Sequence, residues 1–178
     1  MSKQLIHKKI STPTGEMDVL ATEKGICLLE FYNRQELNDE IASLEKHFNT
    51  KQISGNNHWI DLLEKEMQAY FKGELQNFTV KLDLIGTEFQ LKVWKALLEI
   101  PYGITRTYKE QSLVVGDLKA IRAVATANGK NKLAIIVPCH RVIGSDGSLT
   151  GYAGGLDRKR FLLNLERKIA GPKDLFNS

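Results

Sequence analysis

Tyr108-Lys109-Glu110-Gln111-Ser112-Leu113-Val114-Val115-Gly116-Asp117-Leu118-Lys119-Ala120-Ile121-Arg122-Ala123-Val124-Ala125-Thr126-Ala127-Asn128 reads as two short helices, Tyr108–Val115 and Leu118–Asn128, joined by a turn at Gly116. A short helix, a glycine turn and a second short helix have the spacing of a helix-turn-helix. Many small helical proteins match that pattern, so the charge around it matters. Residues 1–90 carry a net charge of −4 and residues 91–178 a net charge of +8. A basic half points to a polyanion, most simply nucleic acid. A solvated basic face with no partner is the alternative. The small residues Ala120, Ala123, Ala125 and Ala127 would let the second helix approach a backbone closely.

Upstream, Glu88–Ile100 reads as a helix, with Phe89, Val93, Leu97 and Ile100 on one face. Thr87 is its N-cap, and Gln90 three residues on completes a capping box. Before Gly86 the character changes. Leu5–Ile10, Met17–Thr22 and Ile26–Tyr32 are strand-like runs, separated by turns at residues 14–16 and 23–25. Such close strands predict an antiparallel sheet built from hairpins. Helices are predicted over Glu36–Phe48 and His58–Phe71, the second with an apolar stripe of Ile60, Leu63, Met67 and Phe71 and with Tyr70 at its edge. Asn49–Asn57 is a polar break, and Phe78–Ile85 is a strand or an extended connector. The expected architecture is α+β. A small sheet with helices over residues 1–85 precedes a mostly helical, winged-helix-like unit with the helix-turn-helix over residues 86–178.

The 178 residues are 42% hydrophobic and 26% charged, which fits a globular protein and excludes wholesale disorder. No apolar run approaches the roughly 18 residues of a membrane span. The first nine residues hold no apolar segment of secretory type. Two cysteines cannot build a disulfide framework, so a reducing, cytoplasmic setting is expected. Cys27 lies in an apolar run and reads as core. His7, His47 and His58 stand around it at no recognisable ligand spacing, so no metal and no cofactor are expected.

Downstream, Leu133-Ala134-Ile135-Ile136-Val137-Pro138-Cys139-His140-Arg141-Val142-Ile143 reads as a buried strand running into a proline and then a thiol beside an imidazole. Proline fixes the backbone at the strand exit and so the direction of the next side chain. The imidazole of His140 can take the thiol proton, and thiolate is the reactive form. A base works best when a third group orients it. Glu166, on a predicted helix Asp157–Lys168, is the candidate. Arg141 adds positive charge that would favour thiolate. The alternative is a structural cysteine beside an unrelated histidine. Gly144–Gly155 holds five glycines in twelve residues. It lacks the Lys-Ser/Thr ending of a phosphate-binding loop, so it reads as a lid over Cys139 or a plain surface loop.

Ile136–Val142 together with Gly151-Tyr152-Ala153-Gly154-Gly155 resembles the methylated-DNA–protein-cysteine methyltransferases, the O6-alkylguanine-DNA alkyltransferases. The similarity runs from about Gly86 to Glu166. The first 85 residues fit the family's variable, ribonuclease H-like N-terminal domain in length and element order. The resemblance implies that Cys139 accepts the alkyl group, that His140 is the base acting through a water, and that Glu166 is the carboxylate behind it. Asn131 matches the hinge residue before the active-site segment, and Lys132 stands where the family often has proline. Tyr108 matches a tyrosine that contacts the extruded guanine. Val142 matches the residue whose carbonyl reads the guanine amino group. Tyr152 and Ala153 match the loop wall, with Ala153 where serine is frequent. Arg122 matches the arginine that fills the gap left by a flipped base. Ala123 and Ala127 are expected to line the DNA beside it, and Arg141 to contribute to DNA binding.

Together these residues imply single-turnover repair of O6-alkylguanine, and possible repair of O4-alkylthymine, in double-stranded DNA. The implied protein is a monomer with no membrane partner. The residues also leave open a non-catalytic lesion-binding protein, a Cys-His-Glu hydrolase and a regulator that uses the helix-turn-helix alone. The presence of Cys139 argues against the first, and the basic second half against the second. The third would need sequence-specific binding to undamaged DNA.

Overall fold

The structure, a computed structural model, describes residues 4–171. Strands β1 (Leu5–Thr12), β2 (Gly15–Ala21) and β3 (Ile26–Phe31) form an antiparallel meander, as the hairpin reading predicts. Leu5, Leu20 and Leu28 cluster with Leu37 and Leu44 of helix α1 (Leu37–Phe48). Met17, Val19 and Ile26 cluster with Ile60, Leu63 and Met67 of helix α2 (His58–Phe71). Helices on both faces explain why all six residues of β3 are buried. The polar break also holds a short strand that the sequence reading missed. Strand β4 (Gln52–Ser54) pairs parallel to β1, giving the order β3-β2-β1-β4. Three residues with little burial carry no alternation to read.

This order leaves β3 at the edge, and the second half is built on that edge. Ile26 N donates to Lys81 O at 2.9 Å, and Asp83 N to Ile26 O at 2.8 Å. Residues 78–85 therefore run as an extended connector with a single bridge, Ile26 to Leu82. Further along the same edge, Leu29 N donates to Lys132 O at 2.8 Å and Ala134 N to Leu29 O at 2.9 Å. The N-terminal sheet thus holds the segment that leads to Cys139.

Helix α3 (Glu88–Leu98) starts at the expected capping box: Gln90 N donates to Thr87 Oγ1 at 3.1 Å and Thr87 N to Gln90 Oε1 at 3.0 Å. Helix α4 (Tyr108–Val115) has a second such box, Thr107 with Glu110, and ends at Gly116, whose φ of 101° favours glycine. A 3-10 turn, Leu118–Ala120, leads into helix α5 (Ile121–Gly129), completing the helix-turn-helix. Trp94 of α3, 1% exposed, donates from its indole to Ala127 O at 2.9 Å and locks α5 onto α3. Strands β5 (Arg106–Thr107) and β6 (Val142–Ile143) make a short parallel pair, and helix α6 (Leu156–Ala170) closes the described chain. One apolar cluster runs from the sheet and α2 through α3 and α5 to Leu162 of α6.

The expected strand at Leu133–Val137 is replaced by tight turns. Ile136 N donates to Ala134 O at 2.8 Å around Ile135, whose φ is 72°, and Cys139 N donates to Val137 O at 2.8 Å around Pro138. The cause is Asn131. Its Oδ1 accepts from Leu133 N at 2.9 Å and its Nδ2 donates to Val137 O at 2.8 Å, giving the segment side-chain partners in place of a ladder. A β-branched residue at positive φ costs on the order of 1–3 kcal/mol and persists only where its surroundings hold it. Ile135, 1% exposed, is held by the core.

Candidate active site

Cys139 opens a 3-10 turn, Cys139–Arg141, directly after Pro138. Asn131 Nδ2 lies 3.3 Å from its sulfur and donates to it. The residue is half-buried, and burial pushes its thiol up to about 11, against the Asn131 hydrogen bond that favours thiolate. At neutral pH the resting group is therefore a thiol, and reaction needs a base.

His140 is fully buried, and its Nε2 lies 2.7 Å from Glu166 Oε1. Burial alone would raise the Glu166 carboxyl. The hydrogen bonds and charges of His140 and Arg141 outweigh that and hold it well below the usual carboxylate range. An ionised Glu166 requires the proton on His140 Nε2, which leaves Nδ1 as a lone pair. Nδ1 is buried and has no hydrogen-bond partner within the protein. Burial lowers the imidazole pKa despite the carboxylate, so the ring is neutral at neutral pH and can take a proton.

Glu166 sits on α6 and gathers donors from four residues on three elements. Arg141 binds it twice, Nε to Oε2 at 2.8 Å and Nη2 to Oε1 at 3.0 Å. Tyr70 of α2 donates to Oε1 at 2.7 Å, and Gly103 N to Oε2 at 3.3 Å. Gly103 has a φ of 75°, and a Cβ there would stand 2.6 Å from Ala170 Cβ, so only glycine lets the loop reach the carboxylate. The remaining donor of Arg141, Nη1, reaches Ile100 O at 2.7 Å.

The other predicted residues divide into three groups. Tyr108, Tyr152 and Cys139 all pack, partly buried, against the main apolar cluster, and burial raises both phenols. Val142 is buried, and its carbonyl accepts from Lys159 Nζ at 2.6 Å, keeping one further lone pair. Ala153 is exposed on the loop, and Arg122 and Ala123 are exposed on α5. Two expectations are corrected. Arg141 is 7% exposed and spends its guanidinium on Glu166 and Ile100, so it neither meets DNA nor favours the thiolate. Ala127 is 3% exposed because α5 turns that face onto Trp94.

The residues match two family models end to end. The model described as the ribonuclease-like domain of 6-O-methylguanine DNA methyltransferase covers residues 5–84, and that for its DNA binding domain covers residues 88–168. A methylated-DNA–protein-cysteine methyltransferase of Methanosarcina barkeri is 47% identical over 160 residues, covering 88% of this chain and 94% of the relative. The chain belongs to the methylated-DNA–protein-cysteine methyltransferase family.

Solved structures of the family agree. The Mycobacterium tuberculosis O6-methylguanine methyltransferase superposes with a TM-score of 0.80 at 41% identity, covering 97% of this chain and 98% of that one. The M. tuberculosis OGT in complex with DNA gives 0.80 at 42%, covering 96% and 97%. Within this methyltransferase fold, sequence reasoning missed Tyr70, Arg34 and Lys159. Tyr70 carried one signal, a phenol on an apolar helix stripe, since a buried hydroxyl needs a partner. Arg34 donates to Gly129 O at 2.7 Å and Asn131 O at 3.1 Å, ending α5 and bracing the backbone at Asn131. Lys159 is fully buried, and burial lowers its amine to about 8. Neither Arg34 nor Lys159 was legible, because each binds backbone carbonyls distant in sequence. Among the described residues no three His, Cys, Asp or Glu side chains gather as a metal site.

Proposed function

We propose that this protein repairs O6-alkylguanine in double-stranded DNA by moving the alkyl group to Cys139, once per molecule. The observation that carries the reading is His140, next in the chain to Cys139, with a buried Nδ1 that has no partner within the protein and with Nε2 on an ionised Glu166 that accepts five hydrogen bonds. The thiol proton passes through a water to His140 Nδ1, and Glu166 stabilises the imidazolium. The thiolate attacks the alkyl carbon. The S–C bond forms, the C–O6 bond breaks, and the purine leaves as an anion that recovers one proton. The product thioether is a poor leaving group, so no second turnover follows.

A stacked base cannot meet a sulfur held in this pocket, so the nucleotide must be extruded. In our reading Arg122 fills the gap in the duplex, with exposed Ala123 against the backbone. Tyr108 and the Val142 carbonyl receive the guanine, and Tyr152 and Ala153 wall the alkyl group. Asn131 holds the segment in register through Val137 O and the sulfur. The M. tuberculosis relative solved in complex with DNA supports DNA as the partner. We read residues 1–85 and 86–178 as two domains, in keeping with the two model matches and the Thr87 cap. A monomer suffices, since every catalytic group comes from one chain. A reduced Cys139 suits the cytoplasm, and no helix among the described residues is long and apolar enough to cross a membrane.

Intact-mass spectrometry after mixing with a duplex carrying one O6-methylguanine tests this. A gain of one methylene mass on Cys139, saturating at one per chain, is expected. No gain overturns the proposal.

A further inference from the structure

Arg158 and Lys159 are neighbours on the first turn of α6, and they hold opposite ends of the stretch 150–154. Lys159 Nζ donates to Thr150 O at 2.9 Å, where Tyr108 OH also donates at 3.2 Å. That end is tied within the C-terminal half. Arg158 Nη1 donates to Gly154 O at 3.1 Å. The same guanidinium reaches across to the N-terminal sheet, with Nε to Thr14 O at 2.8 Å and Nη1 to Asn33 Oδ1 at 2.8 Å. It lies over the Phe31 ring at 4.1 Å. Gly154 rests on that ring too: a Cβ there would stand 2.7 Å from Phe31 Cδ2, so only glycine can seat.

Between the two ties hang Tyr152 and Ala153. Tyr152 and Cys139 pack against the same apolar cluster, and the Tyr152 hydroxyl is buried without a partner; inside the stretch only a long contact from Tyr108 OH to Gly151 O at 3.4 Å and a local turn, Gly155 N to Tyr152 O at 3.0 Å, add to the ties at its ends. The wall of the sulfur pocket is therefore a short span with one post in each half of the molecule. Lys159 is a rigid post, fully buried. Arg158 is the more accessible one, half-exposed at the seam.

We infer that Arg158 is a specificity-determining residue: by latching Gly154 to Thr14, Asn33 and Phe31, it limits the size of the alkyl group that reaches Cys139. The inference rests on the alkyl-transfer reading above. A methyl group fits under a latched wall. A benzyl group needs the wall to swing outward at Gly154. Guanidinium geometry is essential, because one planar group must stack on Phe31 and donate in three directions.

The test compares single-turnover rates with free O6-methylguanine and O6-benzylguanine for wild type, Arg158→Leu and the milder Asn33→Ala. Both variants are checked by circular dichroism, and hydrogen–deuterium exchange is followed over residues 144–155. Arg158→Leu is expected to raise the benzyl-to-methyl rate ratio about tenfold, equivalent to about 1.4 kcal/mol, with faster exchange confined to the loop. Asn33→Ala is expected to shift both in the same direction by less. An equal loss on both bases, or an unchanged ratio, overturns the inference. If wild type takes neither alkyl group, the functional reading itself fails. Loop exchange then judges the latch alone, and exchange unchanged in Arg158→Leu overturns that too.

Discussion

At the scale of single residues the chemistry rests on opposed pKa directions. Cys139 is raised to about 11 by burial, His140 is lowered by burial, and Glu166 is held ionised by its donors. A thiol that does not ionise by itself beside an imidazole that stays neutral is the combination a general base requires. His140→Ala is expected to slow transfer by about 10²–10⁴, the usual worth of such a base, as read by single-turnover mass spectrometry. The pH profile follows from the sign of the His140 shift. Since the folded pKa lies below 6.5, the base form persists on acidification past that point. The transfer rate of wild type should hold from neutral pH down through 6.5 and fall only in more acid solution. A midpoint above 6.5 would show that the imidazole is not held neutral by burial.

At the scale of elements, α3 and α5 carry the two features most open to test. The Thr87–Gln90 box supplies two of the donors and acceptors at the start of α3. Thr87→Ala should lower stability by about 1 kcal/mol, measured by denaturant unfolding, with little change in transfer once folded. On α5, Arg122 is exposed at the helix start. Arg122→Ala should weaken repair in duplex DNA more than reaction with the free modified base, because only the duplex must surrender a stacked nucleotide. Equal losses on both substrates would remove Arg122 from the extrusion step. Most of these elements were legible from periodicity and caps. α2 and α4 begin and end where the apolar spacing puts them. The segment at 133–137 was misread because an apolar run looks alike as a strand or as buried turns, and what decides is the side chain of Asn131.

At the scale of the molecule, Arg34 joins the halves. It pairs with Glu30 and Glu40 in the N-terminal half and donates to Gly129 and Asn131 carbonyls in the other. Burial raises Glu30 to about 7, with the Arg34 charge pulling the other way. Arg34→Leu would strand buried carboxylates and leave the end of α5 uncapped. It should cost about 3–5 kcal/mol, seen as a lower Tm, and slow transfer in the fraction that remains folded.

Periodicity, capping and a dense motif are local properties, so the class of fold and the helix-turn-helix were readable along the chain, and the resemblance pointed to Cys139, His140 and Glu166. Packing alone shows that the Arg141 guanidinium is held by Glu166. It alone brought Tyr70 to the same carboxylate and made one edge of β3 carry both the connector and the Asn131 segment. Those facts depend on which backbone carbonyls and carboxylates lie within about 3 Å after packing. No spacing along a chain encodes a distance between residues 96 positions apart, as Tyr70 and Glu166 are.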